Sequence, residues 1–294
     1  MHPLLDPPAP SRDGALRAIH LHLAETLARW AWARRLLGRE LADGLGVVLA
    51  WHLLSRQLLA VGADELPLRR SRDELLSTLR EAEAGTARSA MAVALAWVIP
   101  RFGLSLLAMR GRVEALERDA HVMAFASRAE IRAMQSKTAH PEALALLAVL
   151  GLDGEREQLL AQSIANGFER AVSLGKGREL LESKGRLVFS AEELAEARVN
   201  AWALVAQDGG EGVALLFQRA IHEARAELAK GWPLCHSLGH WRGRQLGFVL
   251  RWFSAELSGL EVAEMSGKAR PAKGGKMRLW ACAASTLGPR ESPY

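Results

Sequence analysis

His236 and His240 lie four positions apart, a spacing that places two imidazoles on one face of a helix, where they could bind one metal ion. Gly239 stands between them, no glutamate follows the first histidine, and only Cys235 and His222 are near enough in the sequence to add a ligand. A pair alone does not complete a transition-metal site. These histidines are therefore predicted to be surface or capping residues, and neither a metal site nor another cofactor is predicted.

The segment SLGKGREL (173–180) has the glycines and the lysine of a phosphate-binding loop. It lacks the Gly-Lys-Ser/Thr order, and no strand pattern precedes it, so the context that such a loop requires is missing. The segment is predicted to interrupt a helix. Nothing in the chain resembles the sharp turn that presents a nucleophilic serine, so no catalytic residue is assigned.

Composition indicates a globular chain with ample material for a core. The 294 residues are 49% hydrophobic and 24% charged. The only two cysteines, Cys235 and Cys282, argue against a disulfide framework and against a thiolate zinc site, and they favour a reducing compartment.

The net charge of +5 is concentrated in one run, KARPAKGGKMR (268–278), which has five basic residues and no acid. Such a run is typical of a solvated tail, and it could also be attracted to an anionic membrane surface. No aromatic residue interleaves with the basic ones, so specific nucleic-acid binding is not predicted. The uncharged segment 89–100 is too short for a bilayer span. We expect a cytoplasmic protein that is peripheral to the membrane at most.

The elements that must position any site are helices, because Ala, Leu, Arg and Glu dominate and β-branched runs are nearly absent. Capping boxes at Ser71/Glu74, Ser127/Glu130 and Ser190/Glu193 predict three helix starts. Apolar spacing and breakers predict the helical segments: 16–37, 40–61, from 71, 87–100, 104–116, from 127 to before Pro141, 142–150, 154–174, 191–207, 212–229 and 241–260. One all-α domain is predicted over 14–265, between a flexible Pro-rich tail (1–13) and a basic, flexible tail (266–294).

Four segments carry a resemblance to a known family. They are RRLLGRELADGLGVVLAWHLLSR (34–56), WVIPRFGLS (97–105), FASRAEIRAMQSKTAHPEALALLAVLG (125–151) and the junction GRLVFSAEEL (185–194). In this order and at these spacings, over about 30–265, they resemble the squalene/phytoene synthase family, with Phe-Ser where that family usually has Leu-Pro. The resemblance implies the isoprenoid synthase (type I terpenoid synthase-like) fold, a single-domain helical bundle around a central apolar cavity.

Active members of this family join two prenyl diphosphates head to head. The chemistry needs Mg²⁺ to neutralise pyrophosphate, held by aspartates that are four apart on facing helices. Here the resemblance places the two aspartate-rich motifs on 56–60 and 177–181, and neither contains an aspartate. The chain has eight aspartates, and no two of them are four apart. The chain is therefore interpreted as a divergent, non-catalytic relative.

The resemblance implies a binding or assembly protein that keeps an isoprenoid- or lipid-sized cavity. The analogue within the family is the branch implicated in assembly of respiratory complex I, which suggests a protein partner at the membrane surface. Arg56, Lys176 and Arg186 are candidates to hold a diphosphate or another anion without metal, with Arg178 and Lys184 nearby. Trp51 and Trp97 are candidates to line the cavity.

An active prenyltransferase is the alternative. It would use an atypical diphosphate site, with glutamates such as Glu179 and Glu182 as ligands, or a partner subunit that carries the aspartates. A basic nucleic-acid-binding protein is disfavoured, because the charge excess lies in a Gly- and Pro-containing run.

Overall fold

The computed structural model describes residues 2–6, 11–26, 30–59, 65–204, 210–239 and 242–247, with the single positions 250, 251 and 257. This part of the chain is helical and contains no strand, as predicted. The α-helices are, in order, α1 (Arg12–Thr26), α2 (Trp30–Leu37), α3 (Arg39–Leu59), α4 (Glu65–Ala84), α5 (Ala90–Phe102), α6 (Leu106–Ala120), α7 (Arg128–Leu150), α8 (Glu155–Lys184), α9 (Ala191–Ala197), α10 (Gly210–Gly231) and α11 (Leu234–Ser237). A short 3₁₀ helix, Ala201–Leu204, follows α9.

Contacts within the chain group it into two compact units. The first unit comprises residues 1–121 and 140–158, and the second comprises 122–139 and 159–294. The assignment of 14–265 to one domain stays a prediction. Among the helices of the described ranges, none has both the length and the apolarity that crossing a bilayer requires.

In the first unit, α1, α2 and α3 meet at a buried polar contact. His20 Nε2 lies 2.6 Å from Asp43 Oδ1, and the Trp30 indole N–H donates to His20 Nδ1 at 3.0 Å. The His20 and Trp30 rings are stacked. Gly46 permits this approach, since a Cβ there would lie 3.0 Å from the His20 ring and 3.1 Å from that of Trp30.

Several sequence predictions of helix ends are confirmed. Ser190 accepts from the Glu193 amide while the Glu193 carboxylate accepts from the Ser190 amide, which is the predicted capping box at the start of α9. At α7, Ser127 Oγ accepts from the Glu130 amide. The predicted break after α5 lies at Gly103, whose left-handed backbone (φ 67°) ends the helix.

The capping box predicted at Ser71 is wrong, because Ser71 lies inside α4. That helix begins at Glu65, and Leu68, Leu75 and Leu79 are all buried along it, so its apolar face extends upstream of the predicted start. The predicted helix end before Pro141 is also wrong. Helix α7 continues to Leu150, and burial of Ala143, Leu147 and Leu150 offsets the backbone hydrogen bond that proline cannot make.

Helix α8 continues through 173–180, so the predicted interruption there is wrong. Burial of Leu174 and Leu180 on its face supports this continuation. Helix α9 is much shorter than the predicted 191–207, because Arg198 takes the left-handed conformation (φ 54°) and caps it.

The segment predicted as a flexible N-terminal tail contains two buried residues, Leu4 and Leu5, and the Leu4 carbonyl accepts a hydrogen bond from the Met91 amide. The C-terminal tail and most of the predicted helix 241–260 lie outside the described residues.

Candidate functional site

A buried polar cluster occupies the interior of the first unit, next to the position where the family resemblance places the first aspartate-rich motif. His52 and Ser55 extend from α3, Arg112 from α6 and Glu142 from α7. Arg112 is only 2% exposed, and its guanidinium lies 3.3 Å from Ser55 Oγ, 3.4 Å from His52 Nε2 and 3.6 Å from Glu142 Oε1. The Glu142 carboxylate also contacts His52 Nδ1.

The guanidinium groups of Arg112 and Arg56 act on the pKa values of this cluster. Burial, followed by the charges of Arg112 and Arg56, lowers the pKa of His52 well below its ordinary value of 6.5. Burial and the charge of Arg56 also lower the pKa of Arg112. Both shifts place Arg56 close to His52 and Arg112.

The first-motif positions therefore present a cation where the family's chemistry needs carboxylates. Residues 56–59 on α3 are Arg, Gln, Leu and Leu. Arg56 is half-buried, and Leu59 is part of the core. A divalent ion prefers several carboxylate oxygens, and α3 supplies none at these positions.

The two tryptophans predicted to line a cavity lie on different helices of the first unit and differ in burial. Trp51 is buried in α3, and its indole N–H has no hydrogen-bond partner among the described residues. Trp97 on α5 is half-buried, packs edge-on against Phe102 and lies under the guanidinium of Arg12. Their role as cavity-lining residues stays a prediction.

In the second unit, the second-motif positions 177–181 lie on α8, where packing takes the place of metal ligation. Gly177 is buried, and a Cβ there would lie 2.7 Å from Val188 Cγ2. The glycine thus lets the chain after α8 pack against the helix. Glu179 and Glu182, the acids considered as substitute ligands, are both exposed.

Three basic residues gather at the C-terminal end of α8. Burial lowers the pKa of Lys184, and the charges of Arg186 and Lys176 lower it further, while Glu179 opposes the shift. Lys176 and Arg186, both predicted to bind an anion, are therefore close to Lys184 in the second unit. Arg56 belongs to the first unit, and its predicted role in anion binding stays a prediction, as do those of Lys176 and Arg186.

The junction after α8 is held by a buried ion pair. Arg170 on α8 donates to Glu193 Oε1 at 2.7 Å and to the Val188 carbonyl at 2.8 Å, and it lies over the Phe189 ring. The other oxygen of Glu193 accepts from the amide and hydroxyl of Ser190. Burial lowers the pKa of Arg170, and the charge of Glu193 opposes that shift. The ion pair between Arg170 and Glu193 thus connects the capping box to α8.

Arg112, Glu142 and Arg170 were missed by sequence reasoning. One signal was available for Arg112, which alternates with buried apolar residues at helical spacing (Met109, Val113 and Leu116) and so lies on the core face of α6. Of the histidine pair considered for metal binding, His236 is exposed at α11, and His240 lies outside the described residues.

Comparison with known proteins supports the fold. No family model matches the chain, and no curated protein matches it in sequence. Among solved structures, the chain is similar to squalene synthase HpnC from Alicyclobacillus acidocaldarius, with a TM-score of 0.68 and 19% identity over 87% of this chain and 95% of that one. It is similar to a dehydrosqualene synthase solved in complex with a ligand (TM-score 0.79, 14% identity, 94% and 96% coverage). It is also similar to YisP from Bacillus subtilis subsp. subtilis strain 168 (TM-score 0.67, 11% identity, 93% and 96% coverage).

These likenesses confirm the predicted fold class, an all-α isoprenoid synthase-like fold of the squalene and dehydrosqualene synthase type. At these identities they establish the fold and not the activity.

Proposed function

We propose that this protein is a non-catalytic relative of squalene and phytoene synthases that acts as a binding or assembly factor. The observation that carries the proposal is the replacement of carboxylate by cation at the first motif, where Arg56 acts on the buried Arg112 and His52. A magnesium ion close to Arg56 and Arg112 would meet like charge.

The packing of the second motif supports the same conclusion. The contact of Val188 with Gly177 gives those helical positions a structural use. The basic group of Lys176, Lys184 and Arg186 supports binding of an anionic headgroup, such as a prenyl diphosphate, without hydrolysis. The apolar end of that ligand would occupy the isoprenoid cavity that the fold implies.

The direct test incubates the purified chain with farnesyl or geranylgeranyl diphosphate and measures pyrophosphate release with and without Mg²⁺. We expect no release above a heat-inactivated control, and thermal stabilisation by the diphosphates that persists in EDTA. Magnesium-dependent release would overturn the proposal and favour the alternative, an active prenyltransferase with an atypical site or a partner subunit.

Variants assign the anion-binding role. Arg186→Gln and Lys176→Gln should each reduce the thermal stabilisation that farnesyl diphosphate gives in EDTA. Arg110→Gln is the matched control, since Arg110 forms an exposed ion pair with Glu83 in the first unit. An equal loss in the control would show that the effect is general electrostatics and not a site.

The assembly role has its own test. In a host that contains respiratory complex I, deletion of the gene should lower the amount of assembled complex in its membranes, measured by native electrophoresis and NADH oxidation. Restoration by Arg56→Gln as well as by the native chain would separate assembly from diphosphate binding. Unchanged complex I would refute the assembly role while leaving ligand binding open to the diphosphate measurement.

A further inference from the structure

A cavity of about 410 Å³ lies wholly within the second unit, formed by the first turns of α7, the middle of α8, the start of α9 and the C-terminal half of α10. Its volume is within the range of about 300 to 1,000 Å³ typical of small-molecule sites. It contains none of the residues assigned above to diphosphate binding. Its lining is charged: cationic groups extend from α7 and α8, and α10 contributes two glutamates and one lysine.

Buried charge lies within the lining of this cavity. Arg170 and Glu193, which are 6% and 4% exposed, form the ion pair that fastens the capping box. A guanidinium has five N–H donors. Arg170 uses one toward Glu193 and one toward Val188 among the described residues, and its side chain lines the cavity. Its guanidinium therefore contributes positive charge to the cavity wall.

One wall is cationic. Arg128 and Arg132 extend from the first turns of α7. Arg128 is held by Glu196 on α9, yet its Nε atom is buried and has no hydrogen-bond partner among the described residues. Together with Arg170, these arginines offer planar donors suited to an oxyanion with several oxygens.

Helix α10 contributes acidic groups. Glu223 and Glu227 are four apart and so share a helix face at the cavity. The Lys230 ammonium pairs with Glu227, which leaves Glu223 as the acid that faces the arginines. Arg132 approaches Glu223 no closer than 3.7 Å, which is longer than a hydrogen bond. Because this pairing is loose, a ligand can replace Glu223 as the partner of Arg132, and Arg132 as the partner of Glu223.

From this arrangement of charge we infer that the cavity binds a small zwitterion, with a phosphate toward Arg128, Arg132 and Arg170 and a primary ammonium toward Glu223. A phosphate matches three guanidinium groups better than a carboxylate does, since it has more oxygens and more charge. Glutamates accept hydrogen bonds from an N–H ammonium, and a quaternary ammonium offers none. The ligand class is therefore an aminoalkyl phosphate, either free or as the headgroup of a lipid.

Calorimetric titration of the full chain with phosphoethanolamine tests this inference. We expect saturable binding that inorganic phosphate and ethanolamine do not reproduce separately, and weaker binding of phosphocholine. Vesicles of phosphatidylethanolamine that displace phosphoethanolamine would assign the site to a lipid headgroup, and failure to displace it would assign the site to the free compound. If phosphoethanolamine binds no better than inorganic phosphate, the inference is wrong.

Two variants separate the ends of the ligand. Arg132→Gln should weaken both phosphoethanolamine and inorganic phosphate by about tenfold. Glu223→Gln should weaken phosphoethanolamine by a similar factor and leave inorganic phosphate unchanged or tighter. Glu83→Gln and Arg110→Gln, from an exposed ion pair of the first unit, are the controls. Equal binding by all four variants would overturn the assignment, and circular dichroism verifies that each is folded.

Discussion

Arg112 and Arg170 each bring a guanidinium into the interior of one unit, where protein groups replace water. Arg112 meets Ser55, His52 and Glu142, and Arg170 meets Glu193 and the Val188 carbonyl. A buried charge of this kind is costly without partners. Each arginine therefore depends on a small set of contacts that connect distant parts of the sequence.

Replacing Arg112 should be far more damaging than replacing its neighbour on the same helix. We expect Arg112→Met to lower the free energy of unfolding by about 3 to 5 kcal/mol, because it leaves Glu142 buried without its cation. Arg110→Met removes an exposed pair and should cost less than about 1 kcal/mol. Urea unfolding of both variants measures the difference. Equal costs would contradict the role given to Arg112, and adding Glu142→Met to Arg112→Met should recover part of the loss.

His20 should make stability depend on pH. Burial, opposed by the hydrogen bond to Asp43, lowers its pKa below 6.5, and the Trp30 N–H needs an unprotonated Nδ1. The unfolded chain therefore takes up the proton first, so stability should fall as pH decreases below about 6.5. We expect urea midpoints to rise from pH 5 to 7.

The variant Trp30→Phe isolates the contribution of His20 to that pH dependence. Without the indole donor, Nδ1 can be protonated while Asp43 favours the imidazolium, so the pH slope should be smaller than in the native chain. His2, His22 and His52 also have lowered pKa values and keep part of the slope. His121→Gln, at an exposed position, is the control. A slope unchanged by Trp30→Phe would contradict this account of His20.

At the scale of elements, α8 packs directly against the junction (185–194) that follows it. The helix runs through the glycines that suggested an interruption, and Val188 packs where a Cβ of residue 177 would be. The low helix propensity of glycine predicted a break here, but tertiary packing keeps the helix continuous. The junction itself was predictable, because its capping box is encoded by two residues three apart.

Gly177→Ala tests whether packing outweighs helix propensity. In an exposed helix this change would stabilise by about 1 kcal/mol, but here the new Cβ meets a β-branched side chain that has little freedom to move. We expect a net loss of stability in thermal unfolding. The double variant Gly177→Ala with Val188→Ala should recover that loss. A stabilised single variant would show that Val188 yields easily.

For the whole molecule, composition and apolar periodicity predicted the all-α class, and four weak sequence segments together predicted the isoprenoid synthase-like fold. The polar clusters could not be predicted, because Arg112 and Glu142, or Arg170 and Glu193, become neighbours only through tertiary packing. The charged cavity of the second unit could not be predicted either, because its walls come from four helices. Anion binding by Lys176 and Arg186 stays a prediction.

The charge distribution makes one prediction about the entire chain. If the run 268–278 attracts an anionic membrane, co-sedimentation with vesicles containing phosphatidylserine should fall steeply when salt rises above about 0.1 M. Replacing its five basic residues by Gln should abolish the binding. A control variant carries the same number of Arg→Gln changes at exposed positions: Arg17, Arg70, Arg80, Arg88 and Arg118. Equal loss in both variants would mean that net charge, and not this run, drives adsorption.

The fastened junction has a consequence for native-state hydrogen exchange. The amides of Ser190 and Glu193 are bonded inside the capping box, and those of Leu187, Ala191 and Glu192 donate to the carbonyls of Met123, Phe125 and Ala126. Exchange of these amides with solvent deuterium requires that the junction opens. All five should therefore share one opening free energy, and Arg170→Met should accelerate their deuterium uptake together.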